Sequence, residues 1–488
     1  MPRRRQLDPQ LLQEVPVQNL TKHPKDWGRF ILPAFTSPKK GWGVLPYETA
    51  KSLKESRNPD YNVPDLPVLE TKVPAADAPG ESTADFPVPI IESKVLFKPE
   101  QKSDGPMPVL MMTPAIPGGS FSGQTPLEVS KQLGKTGHKV LYSHLPPPRG
   151  MRHPEYTAPQ GVRGTMPKLE ANFHSGKVQD VALEEVTRLV TEASVLGPGG
   201  MTIATAPLPA YGLVAKEARK RLGWTSVYYV VDDWVEFDDV ALPRGVEVVK
   251  QGRYNFLDSE LIILEHSDVV VVTSKRLKKK FDSVLPANKK AKLIPNAFDP
   301  VLFPIGKTTD APADMQIGNP TVVMWGSLFG SWIDWSLLRE VADGIPSATF
   351  NIIGAKPQIP SVVSNAPNIH WLGWIDTDQL WRYGVNADVG IIPFAQTKLV
   401  EGVNPIKMYE YLACGLNVVA SGCEDIKGFT PAVVVPATAN GFISAVVQGA
   451  EKTAELRASA IKTKNRRKML LGNTWGTRTN ALLAAVSG

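Results

Sequence analysis

Along this 488-residue chain the rhythm of apolar and polar positions changes near residue 105. Before that point prolines recur every several residues and polar runs such as Ala75–Ala84 intervene. The apolar pieces at Trp27–Phe35 and Val95–Phe97 are short and isolated. A segment with so little periodic apolar surface predicts an extended, mostly irregular arm over residues 1–105. From Val109 onward the pattern is regular. Val109–Thr113 is a continuous apolar run of strand length, followed by a Pro/Gly-rich loop, a helical stretch over Thr125–Lys135 and a strand over Lys139–Ser143. The alternation continues with helix Val178–Ala193, strand Met201–Thr205, helix Ala210–Leu222 and strand Ser226–Val231. Helix Ser259–His266, strand Val269–Thr273 and a short strand at Lys292–Pro295 follow. Uninterrupted apolar runs predict strands buried on both faces, and the helices between them predict crossover connections and a parallel sheet.

A Pro/Gly/Asp-rich interruption at Asp299–Pro320 separates this unit from a second one. There the pattern predicts strands at Thr321–Trp325, Thr349–Ile353, Ile369–Leu372, Val389–Pro393 and Asn417–Ser421. Helices are predicted at Asp334–Ala342, Thr377–Tyr383 and Asn404–Ala413, with two closing helices at Ala454–Leu471 and Thr474–Val486. The expected organisation is an arm (1–105), a Rossmann-like α/β domain (106–300), a linker (301–320), a second Rossmann-like domain (321–470) and a C-terminal helix crossing back to the first (471–488).

Composition narrows the class. Apolar residues at 42% and charged residues at 21% are ordinary for a folded soluble chain. Two cysteines, Cys414 and Cys423, exclude a disulfide scaffold, lack metal-ligand spacing and fit a reducing cytoplasm. The basic start Met1–Arg5 is followed by no apolar stretch of the secretory kind, and nowhere do 18 consecutive apolar residues occur. A net charge of +6 permits contact with an anionic surface such as the inner face of a membrane, with nucleic acid or with phosphorylated substrates, and selects none of them. The Lys275–Lys280 run reads first as a solvated helix face, with such a contact as its alternative. No Gly-x-Ser-x-Gly nucleophile motif is present.

Open α/β sheets bind ligands at the carboxyl ends of their strands, so the chemistry is sought in the loops that follow strands. The segment Asn404–Gly415, with sequence NPIKMYEYLACG, carries a full set of helix signals: Asn404 as N-cap, Pro405 as first helical residue and Gly415 past the end. Lys407 in the first turn and Glu410 one turn later share a face. A helix N-terminus with a nearby lysine suits a diphosphate, and the glutamate suits a hydroxyl pair; a solvated Lys–Glu pair is the competing reading. Gly118 and Gly119, in the loop after the first strand, allow close approach of backbone to a phosphate or sugar, or form a plain turn. Asp232 and Asp233 end a buried strand in YYVVDDW. Three roles fit them: orienting or deprotonating an acceptor hydroxyl, ligating a divalent metal, or capping a loop. His174 and Trp234 are candidates for the acceptor side. Ser327 and Asn296 suit either a donor contact or a turn.

The donor-helix segment, followed by GLNVVAS to Ser421, resembles the signature of group 1 (family 4) glycosyltransferases of the GT-B fold. Four further stretches resemble the family in order: Ser267–Ser274, Ile294–Asp299, Met324–Ser327 with Trp332–Trp335, and Asn473–Arg478. The resemblance implies two Rossmann-like domains facing a cleft, with the donor ribose on Glu410. Gly326, Ser327, Asn404, Pro405, Ile406 and Lys407 would lie around the rest of the donor, with Gly118 and Gly119 at its diphosphate. It further implies retention of anomeric configuration, no metal and no cofactor, with a UDP- or GDP-sugar as substrate. Two departures stand out. The family's first glutamate falls at Gly402 here, with Glu401 one position off, and no Lys or Arg lies between Gly326 and Leu338 to neutralise the leaving diphosphate. A subgroup with paired aspartates in its first domain and an Asn-Pro-Ile-Lys donor helix lacks both features too, and Lys407 then supplies the charge. A cell-surface glycan or glycolipid is the first acceptor class. A phage-type enzyme acting on hydroxymethylated DNA bases or a virion protein is the alternative. A non-catalytic binding protein on a degenerate GT-B fold and a nucleotide-sugar epimerase are the rivals from other classes.

Overall fold

The structure is a computed structural model that describes residues 105–115, 124–144, 158–166, 183–239, 256–328, 332–354 and 359–487, and short strands within 14–62. Residues 1–91 group apart from residues 92–488. In the first group Glu14–Asn19 pairs antiparallel with Trp42–Pro46 and with Tyr61–Asn62, and Lys25–Asp26 pairs with Ile31–Leu32. Strands this short, one of them holding Pro16, leave no alternation for periodicity to detect. The remainder of the arm lies outside the described residues.

In the second group the first domain is a parallel sheet of β1 (Pro108–Thr113), β2 (Lys139–His144), β3 (Val162–Thr165), β4 (Met201–Ala204), β5 (Thr225–Val230), β6 (Val269–Val272) and β7 (Lys292–Leu293). Their spatial order is β7-β6-β5-β4-β1-β2-β3. The order reverses between β1 and β4, so the crevice for a ligand opens there. Alternate residues of each strand feed opposite faces. Leu110, Met112, Tyr228 and Val230 pack under α2 (Leu183–Ser194) and α3 (Pro209–Leu222). Val109, Met111, Val227 and Tyr229 pack with α1 (Thr125–Lys135). Helices α4 (Phe256–His266) and α5 (Lys275–Val284) complete the domain, and the Ser274 hydroxyl caps α5 by accepting from Leu277 N at 3.1 Å.

The second domain repeats the plan with β8 (Thr321–Trp325), β9 (Thr349–Ile353), β10 (Ile369–Gly373), β11 (Val389–Ile392), β12 (Asn417–Ala420) and β13 (Val433–Val434). The order is β10-β9-β8-β11-β12-β13, all parallel, with its reversal between β8 and β11. Its helices are α6 (Trp335–Gly344), α7 (Ser361–Ser364), α8 (Leu380–Val385), α9 (Lys398–Glu401), α10 (Ile406–Ala413) and α11 (Ala439–Ala458). The chain continues through α12 (Ala460–Leu471) to α13 (Trp475–Ser487), and Trp475, Leu482 and Val486 are buried in the first domain's core. Two doubly wound units in succession are what the alternation predicts, and together they make the GT-B fold that the family resemblance implies.

Three differences from the pattern have local causes. Edge strand β3 has two exposed positions of its four, so no apolar run marks it. Helix α11 begins at Ala439, well before the predicted Ala454. Gly441 and Gly449 dilute its helical signal, and Gly449 brings the helix close to β11: a Cβ there would lie 3.1 Å from Val389 Cγ2, a tight contact. The predicted single helix over Ala454–Leu471 breaks at Ser459, which is extended and caps α12 by accepting from Lys462 N.

Candidate active site

The second domain's switch point brings the end of β8 against the start of α10. Gly326, the residue after β8, has φ +130°, and a Cβ on it would sit 2.8 Å from Lys407 Nζ. The lysine therefore lies across the glycine, where an added Cβ would push its ammonium aside. Its ammonium also stands 5.0 Å from the centre of the Phe394 ring. Burial draws the Lys407 pKa down to about 8, partly opposed by Glu410.

Glu410 is buried, and the indole N–H of Trp325, the last residue of β8, donates to its Oε2 at 2.7 Å. Burial raises the carboxyl to about 7, against the opposing effects of this bond and of Lys407. A first-domain group pushes the same way. Glu128 of α1 is buried, gives one oxygen to Lys131 at 2.6 Å, and has no hydrogen-bond partner on Oε2 among the described residues. Trp325 is held between Phe303, stacked at 6.0 Å, and Tyr411, edge-on at 4.2 Å, whose hydroxyl accepts from Trp325 N. Sequence reasoning missed Trp325 and Glu128. A tryptophan closing a strand otherwise free of aromatics was the signal for the first; nothing in the pattern distinguished the second.

The start of α10 differs from its prediction. Pro405, not Asn404, occupies the N-cap position, so Lys407 is the second helical residue. Asn404 is committed to the other domain: its Oδ1 accepts from Asn296 N at 3.0 Å, and its carbonyl accepts from Asn296 Nδ2 at 2.6 Å. Asn296 in turn accepts from the Thr125 hydroxyl at 2.8 Å and, through its carbonyl, from Arg478 Nε at 3.3 Å. Ile406 packs against the first domain's apolar cluster. At its other end α10 closes as expected: Gly415 has φ +79° and donates to the Leu412 carbonyl, and Leu416 donates to that of Tyr411.

Across the seam, β5 leads to the aspartate pair, and the two carboxylates have different fates. Asp233 is buried and accepts from Lys280 Nζ at 2.6 Å; the same ammonium lies 3.2 Å from Glu260 Oε2, and the Tyr228 hydroxyl donates to Glu260 Oε1. A cation thus already occupies the place beside Asp233. Asp232 is raised to about 6, first by burial and then by Asp233. The Lys275–Lys280 run is accordingly not a plain solvated face. Lys280 neutralises Asp233, Lys278 bonds Asp282, Arg276 pairs with Glu401 at 2.6 Å and Lys275 N donates to Asp425.

A family model described as "Glycosyl transferases group 1" matches residues 319–452. Residues 319–452 are a group 1 glycosyl transferase domain. Over 186 residues the chain is 28% identical to the putative teichuronic acid biosynthesis glycosyltransferase TuaH of Bacillus subtilis, covering 35% of this chain and 46% of the relative. The chain thus spans a little under half the length of that curated relative. Among solved structures, sucrose-phosphate synthase from Thermosynechococcus elongatus is similar in fold, with 16% identity, a TM-score of 0.56, and coverage of 78% of this chain and 98% of that one. Anabaena HepE in complex with UDP and glucose is similar too, with 14% identity, a TM-score of 0.53, and coverage of 78% and 99%.

Within the group 1 domain the structure brings together Gly326, Lys407 and Glu410, with Ser327 exposed beside them. Asn404 and Ile406 instead join the domain to its neighbour. Glu401, the near match to the family's first glutamate, spends its carboxylate on Arg276 of the first domain. Gly402, at the matching position, lies against Asp233, whose Cβ would be 3.6 Å from an added Cβ. Trp234 turns its indole N–H to the Thr205 carbonyl at 3.1 Å. Gly118, Gly119 and His174 lie outside the described residues.

Proposed function

We propose that this protein transfers a glycosyl group from a nucleoside-diphosphate sugar, UDP- or GDP-linked, to an acceptor hydroxyl, with retention and without a metal. The observation that carries the reading is the Lys407 ammonium lying over Gly326, in the first turn of α10 and one turn before the Trp325-held Glu410. The first N–H groups of a helix lack intrahelical partners and, with the dipole and Lys407, favour a diphosphate. Glu410, kept in place by Trp325, accepts from the ribose hydroxyls. Gly118 and Gly119 are assigned to the same diphosphate on the family resemblance.

The chemistry asked of the protein is stabilisation of negative charge on the departing diphosphate while the acceptor attacks from the same face. Preorganised charge is the largest contributor to such a step. Lys407 supplies it where the usual basic pair is absent from residues 326–338. Asp232, the aspartate not neutralised by Lys280, orients the acceptor hydroxyl. Uridine is favoured by the UDP held in the similar Anabaena structure, and a cell-surface polysaccharide acceptor by the name of the Bacillus relative.

Thermal unfolding with UDP-, GDP-, ADP- and dTDP-sugars tests the donor site. A ligand at 100 times its dissociation constant stabilises by about 2.7 kcal/mol. One nucleotide should raise the midpoint, and Glu410→Ala should abolish most of that rise. A cooperative melt unmoved by every nucleotide sugar sinks the reading, and loss of transfer in a chelator sinks its metal-free part.

A further inference from the structure

Between Leu456 and Gly488 the chain has seven Lys and Arg and no Asp or Glu, while its net charge overall is only +6. The basic excess is therefore concentrated at this end, and most of it lies on α12. One side of that helix is anchored: Leu470 is buried, and Arg466 Nη1 donates to the Leu416 carbonyl at 2.9 Å. On another side Ile461, Lys464, Lys468 and Leu471 follow at spacings of three, four and three residues, which at 3.6 residues per turn makes one stripe, with Arg467 beside it. All five are exposed, Ile461 at 74% and Leu471 at 53%. Lys462, off the stripe, is already paired with Glu455 at 2.8 Å.

The combination of charge and apolar ends selects the partner. A solvated basic face has no use for two apolar side chains in water at either end of it. A soluble polyanion would neutralise the cations and gain nothing from Ile461 and Leu471. An anionic bilayer takes both: ammonium and guanidinium groups at the headgroups, apolar side chains at the acyl boundary, and the methylene stems of the lysines in between. The stripe runs about 15 Å along the helix, at 1.5 Å per residue, so α12 would lie flat on the surface. No helix among the described residues is long and apolar enough to cross a membrane.

We propose that the Ile461–Leu471 face of α12 docks this protein on an anionic lipid bilayer. The inference is independent of the transferase reading. Flotation of the full chain with vesicles of 70% phosphatidylcholine and 30% phosphatidylglycerol, and with pure phosphatidylcholine, tests it at low and high salt. Binding should occur on the anionic vesicles alone and weaken with salt. K464Q/R467Q/K468Q should lower partitioning about a hundredfold, the attraction three basic side chains have for an anionic leaflet, and I461S/L471S should lower it as well. Both variants change exposed positions, so unchanged melting midpoints separate lost docking from lost folding. Wild-type partitioning by the triple variant overturns the proposal. So does I461S/L471S binding like wild type while heparin competes the vesicles away, an outcome that assigns the face to a polyanion.

Discussion

Replacing Trp325 by Phe keeps a ring between Phe303 and Tyr411 but removes the 2.7 Å hydrogen bond that steadies the buried Glu410 carboxylate. A bond to a charged group contributes about 1.5–3 kcal/mol, whereas the bond to a protonated carboxyl contributes only about 0.5–1.5 kcal/mol. The loss therefore falls mostly on the ionised form. At about 1.4 kcal/mol per pKa unit, the Glu410 titration should move up by roughly one unit from its value of about 7. The sign for stability follows from linkage. Because the folded carboxyl already binds its proton more tightly than the unfolded one, wild-type stability falls as pH rises from the ordinary glutamate range to about 7, and then levels. In W325F the fall should continue for about a further unit. The phenylalanine also changes packing, so the assay is a double-mutant cycle of W325F and E410L by urea unfolding between pH 5 and 9. At pH 9, W325F should cost about 1.5–3 kcal/mol more with Glu410 in place than in the E410L background, and at pH 5 the difference should be smaller. A coupling below about 0.5 kcal/mol at pH 9, or parallel pH profiles for wild type and W325F, refutes the role given to this tryptophan.

Other sites give sharper functional contrasts. Lys407→Ala should lower kcat/KM about 100- to 1,000-fold with little loss of stability, since the buried ammonium is itself unfavourable; equal losses in activity and stability would refute its role. In wild type the donor affinity should fall as pH rises through about 8, where Lys407 gives up its proton, and titration calorimetry should find that step absent from the alanine variant. Gly326→Ala meets both a positive φ and the lysine at 2.8 Å; about 1–3 kcal/mol of strain and loss of the donor-induced melting shift are expected, and a retained shift counts against the site. Asp232→Asn should slow transfer about 100-fold with stability nearly intact, whereas Lys280→Met strands Asp233 and Glu260 and should cost about 3 kcal/mol, the low end for a broken buried pair because Lys280 is still 29% exposed. Matching stability losses in the two variants would undo the division of labour between the aspartates.

The arrangement of the site was legible only in part. The pattern NPIKMYEYLACG marked a helix after a strand and singled out Lys407 and Glu410, because helix capping and one-turn spacing are local rules. It also placed Asn404 as the N-cap, since nothing local reveals that a residue 108 positions earlier, Asn296, claims its side chain. The pair Asp232-Asp233 looked symmetric as text. The fold broke the symmetry by presenting Lys280 and Glu260 to one member alone.

Local pattern was enough to read both doubly wound units, most of the strands that hold their cores and the helix that faces the proposed donor. Continuous apolar runs and 3.6-residue periods act within a dozen residues and survive without tertiary context. Packing between distant elements brings Trp325 to Glu410 across 85 positions, lets Glu128 add its field from the other domain, and rests Lys407 on Gly326. Those contacts arise where strand ends of two sheets converge, and burial there, not residue type, moves Lys407 down to about 8 and Glu410 up to about 7. Desolvation depends on everything packed around a group, which no stretch of sequence near it contains.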